Sequence, residues 1–489
     1  MNIGSLSLEN IEKFGEFDSL HFMGKSITNV EQNAYAGRLA RVMLDRGVKP
    51  GDHVVLMMPN CPEVLASFQA CWKIGAVPIP ITPMLNAREV GYVIENSESK
   101  FALTVPVLAG RLREASERIE GFKGLLVVGE PKNVEGAVDI SADIAQADPV
   151  TTLAQVASDD ICMLLYTSGT TGHPKGVMLT HGNLMENGRA VAVRATSVQP
   201  FMPTLHVLPL SHSFGVLMMN LGYILGSRSS LLTHWDTESV FKTIEEHKVE
   251  RFSIVPTMLT YMLNFPDREK FDVSTLMQVN TGGAALMNEI RMDFEREFDC
   301  VVKEGYGLSE TSPTLTGYHD EDDYRPGSVG NAIPGVEIAI LDFDNNPVPL
   351  GEQGEICARG PNIMKGYWKL PEATDEAMAG GWFHSGDIGY MDEDGYVYIT
   401  DRKKDLIIKG GENISPREIE EGLQEHPAVA EAAVIGVKDP TYGENIVAVV
   451  SLKPGAEATE DELKEHAGKY VTKFKIPARV VFSTLLPKN

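Results

Sequence analysis

Tyr166-Thr-Ser-Gly-Thr-Thr-Gly-His-Pro-Lys-Gly176 is the stretch on which the reading of this chain turns. It follows an apolar strand candidate, Ile161–Leu165, and precedes a helix expected to begin near His181. Gly169, Gly172 and Gly176 let the backbone approach a ligand closely, because no Cβ intervenes. Thr167, Ser168, Thr170 and Thr171 add hydroxyl donors, and Lys175 adds one positive charge. Backbone amides, hydroxyls and a single lysine together suit a polyphosphate that must be held and then released. A Walker loop requires Gly-Lys-Ser/Thr, whereas this one ends Pro-Lys-Gly, so a conventional P-loop nucleotide hydrolase is disfavoured.

Around the loop, strand and helix patterns alternate. Residues 53–58 form an apolar run, with a helix from Pro62 to about Lys73. Phe101–Val105 and Leu125–Val128 flank the charged helix candidate Arg111–Phe122. Further on, helix 237–248, strand Phe252–Val255, helix 257–264, strand Leu276–Val279, helix 286–298 and strand Val301–Glu304 follow one another. Such alternation predicts crossover connections, parallel sheets and an α/β body. From about 330 to 400 the short strands Val336–Leu341, Glu355–Ala358 and Tyr396–Thr400 predict a closing, mostly antiparallel β subdomain. A strand at 405–408, a helix from Pro416 to about Glu425, strands at 431–437 and 446–452 and a helix near 460–470 predict a small α+β domain. The expected division is 1–402 and 403–489.

The chain has 489 residues, 68 acidic against 43 basic, and a formal charge of −25. That balance argues against nucleic-acid or anionic-membrane binding, which needs clustered Lys and Arg. An anionic substrate must therefore meet positive charge placed locally. Its hydrophobic content of 43% suffices for large cores. Cys61, Cys71, Cys162, Cys300 and Cys357 are scattered, without CxxC or zinc-ligand spacing. The start of the chain lacks the pattern of a signal peptide, and the uncharged stretch Ala195–Ser227 is too interrupted to span a bilayer. A reducing, cytoplasmic compartment is expected.

The eleven-residue loop resembles the phosphate-binding signature of the adenylate-forming superfamily, which contains acyl-CoA synthetases, luciferases and peptide-synthetase adenylation domains. Other segments agree with it in chain order. Thr281-Gly-Gly-Ala-Ala-Leu286 resembles the family's adenine-pocket segment, through Gly282, Gly283 and Ala284. Glu304-Gly-Tyr-Gly-Leu-Ser-Glu310 resembles the next one. The resemblance implies that Tyr306, between Gly305 and Gly307, stacks on adenine, that Ser309 approaches the α-phosphate, and that Glu310 with Thr170 holds Mg²⁺. An aromatic face for a purine and a carboxylate for a hard cation are sound chemistry. Trp382-Phe-His-Ser-Gly-Asp387 matches the segment whose Asp387 would bind ribose hydroxyls. In Asp401-Arg-Lys-Lys-Asp-Leu-Ile407, Arg402 would contact ribose or phosphate and Lys404 would be the hinge of a mobile small domain. Lys409-Gly-Gly-Glu-Asn-Ile-Ser-Pro-Arg-Glu-Ile419 resembles the pantetheine tunnel loop, with Gly410 and Gly411 leaving room for a thin ligand.

The reaction so implied is ATP-dependent formation of an acyl-adenylate from a carboxylic acid, then transfer to coenzyme A. ATP, Mg²⁺ and coenzyme A are the expected cofactors, and Lys175, Thr170, His212, Glu310 and Arg402 the expected catalytic groups. The acyl pocket is expected around Leu208–Gly215, with His212 as gate and Ser213, Phe214 and Gly215 beside it, and around Val255, Pro256 and Gly282. Phe214, Met218, Met219, Leu221 and Tyr223 are expected to line it, with Gly215 and Gly222 leaving room. This pattern fits a medium- or long-chain fatty acid. Ser211, where many fatty-acid ligases carry an aromatic, keeps an aryl or alicyclic acid open. Carrier-protein loading, a non-catalytic acyl or nucleotide sensor and a luciferase-like oxidation are the rival functions, and a monomer and a homodimer both remain open. The sequence stops at Leu-Pro-Lys-Asn489, before the position of the family's adenylation lysine, a role not transferred to Lys488. A shortened chain is the expectation, one that would form adenylate poorly yet thioesterify supplied acyl-adenylate.

Overall fold

The structure, a computed structural model, describes residues 1–167, 174–409, 412–484 and 486. The chain divides into two compact units, Met1–Glu337 with Ala358–Phe383 and Ile338–Cys357 with His384–Asn489. The β subdomain read from about 330 to 400 thus contributes residues to both.

In the first unit a five-stranded sheet runs in the order Val77–Pro80, His53–Met57, Phe101–Thr104, Gly124–Val127 and Ala137–Asp139, all parallel. Its strands are short continuous apolar runs, and Val54, Val55, Leu56 and Met57 are all buried. Burial on both faces is what crossover helices provide. Helix Pro62–Ile74 starts with proline in its first turn and ends on left-handed Gly75. The charged helix expected at 111–122 lies instead at Pro106–Ser116, because Pro106 fits the first helical position.

A second sheet has seven strands, in the order Val301–Glu304, Gln278–Thr281, Arg251–Ile254, Pro203–His206, Arg228–Leu231, Asp18–Phe22 and Lys25–Thr28. All neighbours are parallel except the last pair. Strand alternation sends Phe252, Ile254, Val279 and Val302 into one core with Phe241 and Phe294. The intervening residues face the other way.

The helix expected near His181 begins there, and between it and Ile161–Thr167 lies a strand that the sequence reading did not mark, Lys175–Thr180, antiparallel to Ile161–Thr167. Val177 and Leu179 alternate into the core, which holds that segment extended. Helix His181–Arg194 begins only after it, where Thr180 Oγ1 accepts the Asn183 amide at 3.1 Å.

Strand Phe383–Met391, which lies in the second unit from His384 on, pairs antiparallel with Tyr396–Arg402. Val429–Asp439 and Gly443–Leu452 form another antiparallel pair, with Arg479–Phe482 parallel to the latter. Helices Pro416–Gln424 and Glu460–Ala467 supply Ile419, Leu423 and Leu463 to its core, which is the expected α+β arrangement. No helix among the described residues is long and apolar enough to cross a membrane.

Candidate active site

A cavity of about 550 Å³ opens in the first unit. One wall is helix Ser213–Leu225, with His212 at its N-cap position. Phe214, Met218, Leu221 and Leu225 recur at helical spacing and line the cavity. Met219 and Tyr223, expected as lining, turn instead toward the main core, on the face that carries Val216. Ser213 lines the cavity, and so does Gly215. The glycine at 215 serves the chain rather than a ligand, because a Cβ there would overlap the Pro209 carbonyl. His212 is reached from the cavity, and desolvation lowers its pKa, so the imidazole is neutral at neutral pH.

The opposite wall comes from strand ends and the turns that follow them. Val255, Gly282 and Gly283 line it, while Pro256 opens helix Pro256–Leu263 and Ala284 is exposed, neither being part of the lining. Gly305, Tyr306, Gly307 and Ser309 complete the wall. Tyr306 is half-buried on a two-residue strand, in register with Thr316. A side chain at Gly307 would overlap the Pro313 carbonyl, which is why glycine follows the tyrosine.

Lys175 and Glu310 meet through a residue the sequence reading missed. The Tyr367 hydroxyl donates to Glu310 Oε1 at 2.9 Å, and Lys175 Nζ lies 4.9 Å from the centre of the Tyr367 ring. Burial raises the Tyr367 pKa, and the neighbouring Glu310 carboxylate raises it further, so the phenol stays a donor. Tyr367 is set by the pairing of Gly366–Tyr367 with Met178 and Val177, on the strand that begins at Lys175. No local motif marks it. Thr167 stands opposite Lys175 in register and so anchors the other side of the loop. Ser168, Gly169, Thr170, Thr171 and Gly172 lie outside the described residues, as do Gly410 and Gly411.

In the second unit, Asp387 and Arg402 face each other across the hairpin, with Arg402 Nε 2.9 Å from Asp387 Oδ1. Lys404 is exposed in the turn between Tyr396–Arg402 and Ile407–Lys409. Its neighbour Lys403 is tied down, with Nζ 2.9 Å from Glu355 and its amide donating to Gly386 O. Burial works to raise the Glu355 pKa, but hydrogen bonds from Lys403 and His384 outweigh it and leave the pKa lowered. Cys357 lies 3.4 Å from His384 in the same cluster, a juxtaposition invisible in the sequence. The Lys403 ammonium already satisfies its carboxylate.

Comparison with known proteins identifies the family. Residues 8–368 match the AMP-binding enzyme family, and residues 418–489 match the AMP-binding enzyme C-terminal domain. The chain is 33% identical over 512 residues to a long-chain-fatty-acid–CoA ligase of Bacillus subtilis, covering 99% of this chain and 91% of that protein. It is 35% identical over 468 residues to a feruloyl-CoA synthase of an Amycolatopsis species, covering 95% and 91%. ATP-bound MatB from Rhodopseudomonas palustris superposes with a TM-score of 0.90 at 31% identity, covering 100% of this chain and 96% of that one. The chain belongs to the acyl-CoA synthetase branch of the adenylate-forming superfamily. It is an AMP-forming acid–CoA ligase, with ATP and coenzyme A as its substrates.

Proposed function

We propose that the cavity beside His212 holds the acyl group while Lys175, Tyr306 and Glu310 serve the nucleotide. A carboxylate oxygen bonds to the α-phosphorus of ATP, and the bridging P–O bond breaks with its electron pair leaving on pyrophosphate. The coenzyme A thiol then loses its proton to solvent as its sulfur bonds to the acyl carbon, and the acyl C–O bond breaks with its electron pair leaving on AMP. This chain forms no covalent bond with substrate in either step, so its work is positioning and charge. The Lys175 ammonium opposes phosphate charge, and Tyr367 holds Glu310 in place beside it. A half-buried carboxylate fits Mg²⁺, which takes oxygen ligands and commonly shares them with phosphates. Glu310 would hold the ion with Thr170, and the ion would neutralise phosphate charge. Asp387 would read the ribose hydroxyls with Arg402 as its partner, and Lys404 would be the hinge.

Convergence of Lys175, Tyr367 and Glu310 in the unit that holds the cavity is the observation that carries this reading. A medium- or long-chain fatty acid is supported by the apolar stripe of helix Ser213–Leu225. An aryl or alicyclic acid is favoured by a second observation, the polar strand face across from that stripe. Mass spectrometry of the protein with Mg-ATP, coenzyme A and a panel of fatty, aryl and alicyclic acids tests both. Acyl-CoA from one subset is the expected result. Adenylate without thioester points to a carrier-protein acceptor and overturns the coenzyme A step.

A further inference from the structure

Resting on the reading that this cavity takes the acyl group, we propose that the acid it accepts carries a distal oxygen, bound by the Asn280 side-chain amide. Plain hydrocarbon acids are then the poorer substrates.

The argument starts from strand alternation. Leu205, Phe252, Ile254 and Val279 all point into the core beneath the seven-stranded sheet. Their neighbours Thr204, Ser253, Gln278 and Asn280 therefore occupy the other face, and all four line the cavity. A site for a bare alkyl chain would repeat on the sheet the apolar character of the facing helix. This one does not.

Cross-strand register then orders the polar groups. Arg251 stands opposite Gln278, and Ser253 opposite Asn280. Arg251 Nη2 donates to Gln278 Oε1 at 2.7 Å, and Gln278 Nε2 donates to Asn280 Oδ1 at 2.6 Å. Arginine has no acceptor and keeps its proton, so it dictates the orientation of both amides. Asn280 must therefore present its Nδ2 hydrogens, and no described protein group accepts from them. Arg251 itself is locked at the back by Asp320, at 3.1 and 3.2 Å, with Ser197 bonded to both. The Arg251 and Asp320 side chains are only 11% and 7% exposed, so the relay is rigid.

A donor held this firmly costs free energy when it faces hydrocarbon and recovers that cost when it meets an acceptor. Hydroxyl, ether and keto oxygens are such acceptors. Thr204 and Ser229, whose hydroxyls lie 3.0 Å apart on the same face, extend the polar surface but spend that contact on each other. Asn280 is thus a specificity-determining residue.

Non-hydrolysable acyl-sulfamoyl-adenosines test this without turnover. Two matched pairs serve as probes: 4-hydroxycinnamoyl against 4-methylcinnamoyl, and 8-hydroxyoctanoyl against nonanoyl. Calorimetry of the full chain is expected to show about tenfold tighter binding of the oxygenated member in at least one pair. N280A and N280L are each expected to bring that ratio within about twofold, by weakening the oxygenated ligand. N280A only shortens the side chain, so it guards against a folding defect in N280L. Equal binding within both pairs, or a preference that survives both variants, overturns the proposal. The same acids supplied with ATP and coenzyme A separate the two readings. A preference lost in both variants, with no thioester formed, overturns the ligase reading and leaves the polar-ended cavity standing.

Discussion

The phosphate side and the acyl side of the first unit are built on opposite plans. On the phosphate side, Lys175, Tyr367 and Glu310 each have a partner among the three, and backbone pairing of Gly366–Tyr367 with the strand that begins at Lys175 holds them. On the acyl side, the sheet contributes residues from several neighbouring strands, facing one apolar helix stripe. Behind that wall runs a relay of charged and amide groups, from Asp320 through Arg251 and Gln278 to Asn280. The first plan suits a ligand that never changes, the second a ligand that differs between relatives. Losses on the phosphate side should therefore fall on catalysis, and losses on the acyl side on acid recognition.

Lys175→Ala should break the phosphate side most severely. Removing a fixed cation from developing phosphate charge is expected to lower kcat/KM in ATP–pyrophosphate exchange by about 10²- to 10³-fold. A loss below about threefold would mean the lysine faces no phosphate. Tyr367→Phe sharpens the comparison, because it keeps the ring under Lys175 and deletes the hydrogen bond to Glu310. About a tenfold fall is expected, the size of one charged hydrogen bond, together with a higher Mg²⁺ requirement in a metal titration. An unchanged Mg²⁺ dependence would separate Glu310 from the metal.

On the acyl side, Phe214→Ala should raise KM for the acid up to about tenfold while KM for ATP stays within about twofold. Equal movement of both constants would show that the two sides are not independent. The smallest effect concerns acid stability. His206, in the acyl wall, and His181, at the base of helix His181–Arg194, both have pKa values lowered to about 4, chiefly by burial. Lowered histidine pKa values mean that the unfolded chain takes up protons first. Their contribution to stability is therefore constant above the ordinary value of 6.5 and is lost as pH falls from there toward 4. Thermal unfolding across that window should show Tm falling by several degrees, and His206→Gln should flatten the fall. A Tm that fell equally in the variant would assign the loss elsewhere.

The same contrast explains what could be read in advance. Tyr306, Gly282 and Ser309 each sit in a short string whose chemistry is local, and the structure places all three in the cavity lining. Tyr367 does not, since a two-residue strand leaves no periodicity and its partners lie 57 and 192 positions away. Helix Ser213–Leu225 was legible as apolar, but which side faces the ligand depends on its packing, so Met218 and Leu221 were separated from Met219 and Tyr223 only in three dimensions. The parallel α/β body followed from alternation, yet the strand Lys175–Thr180 was overlooked beside the glycine loop. Asn280 became visible only through the register that sets Gln278 against Arg251. Cross-strand neighbours are distant in sequence, so no single stretch carries that information.

Positional isotope transfer tests the central claim most directly. The protein is incubated with Mg-ATP, coenzyme A and each accepted acid labelled with ¹⁸O in its carboxylate, and the nucleotide product is weighed by mass spectrometry. Attack on the α-phosphorus predicts AMP carrying one ¹⁸O for every acyl-CoA formed. Unlabelled AMP, or ADP with the label in inorganic phosphate, would contradict it.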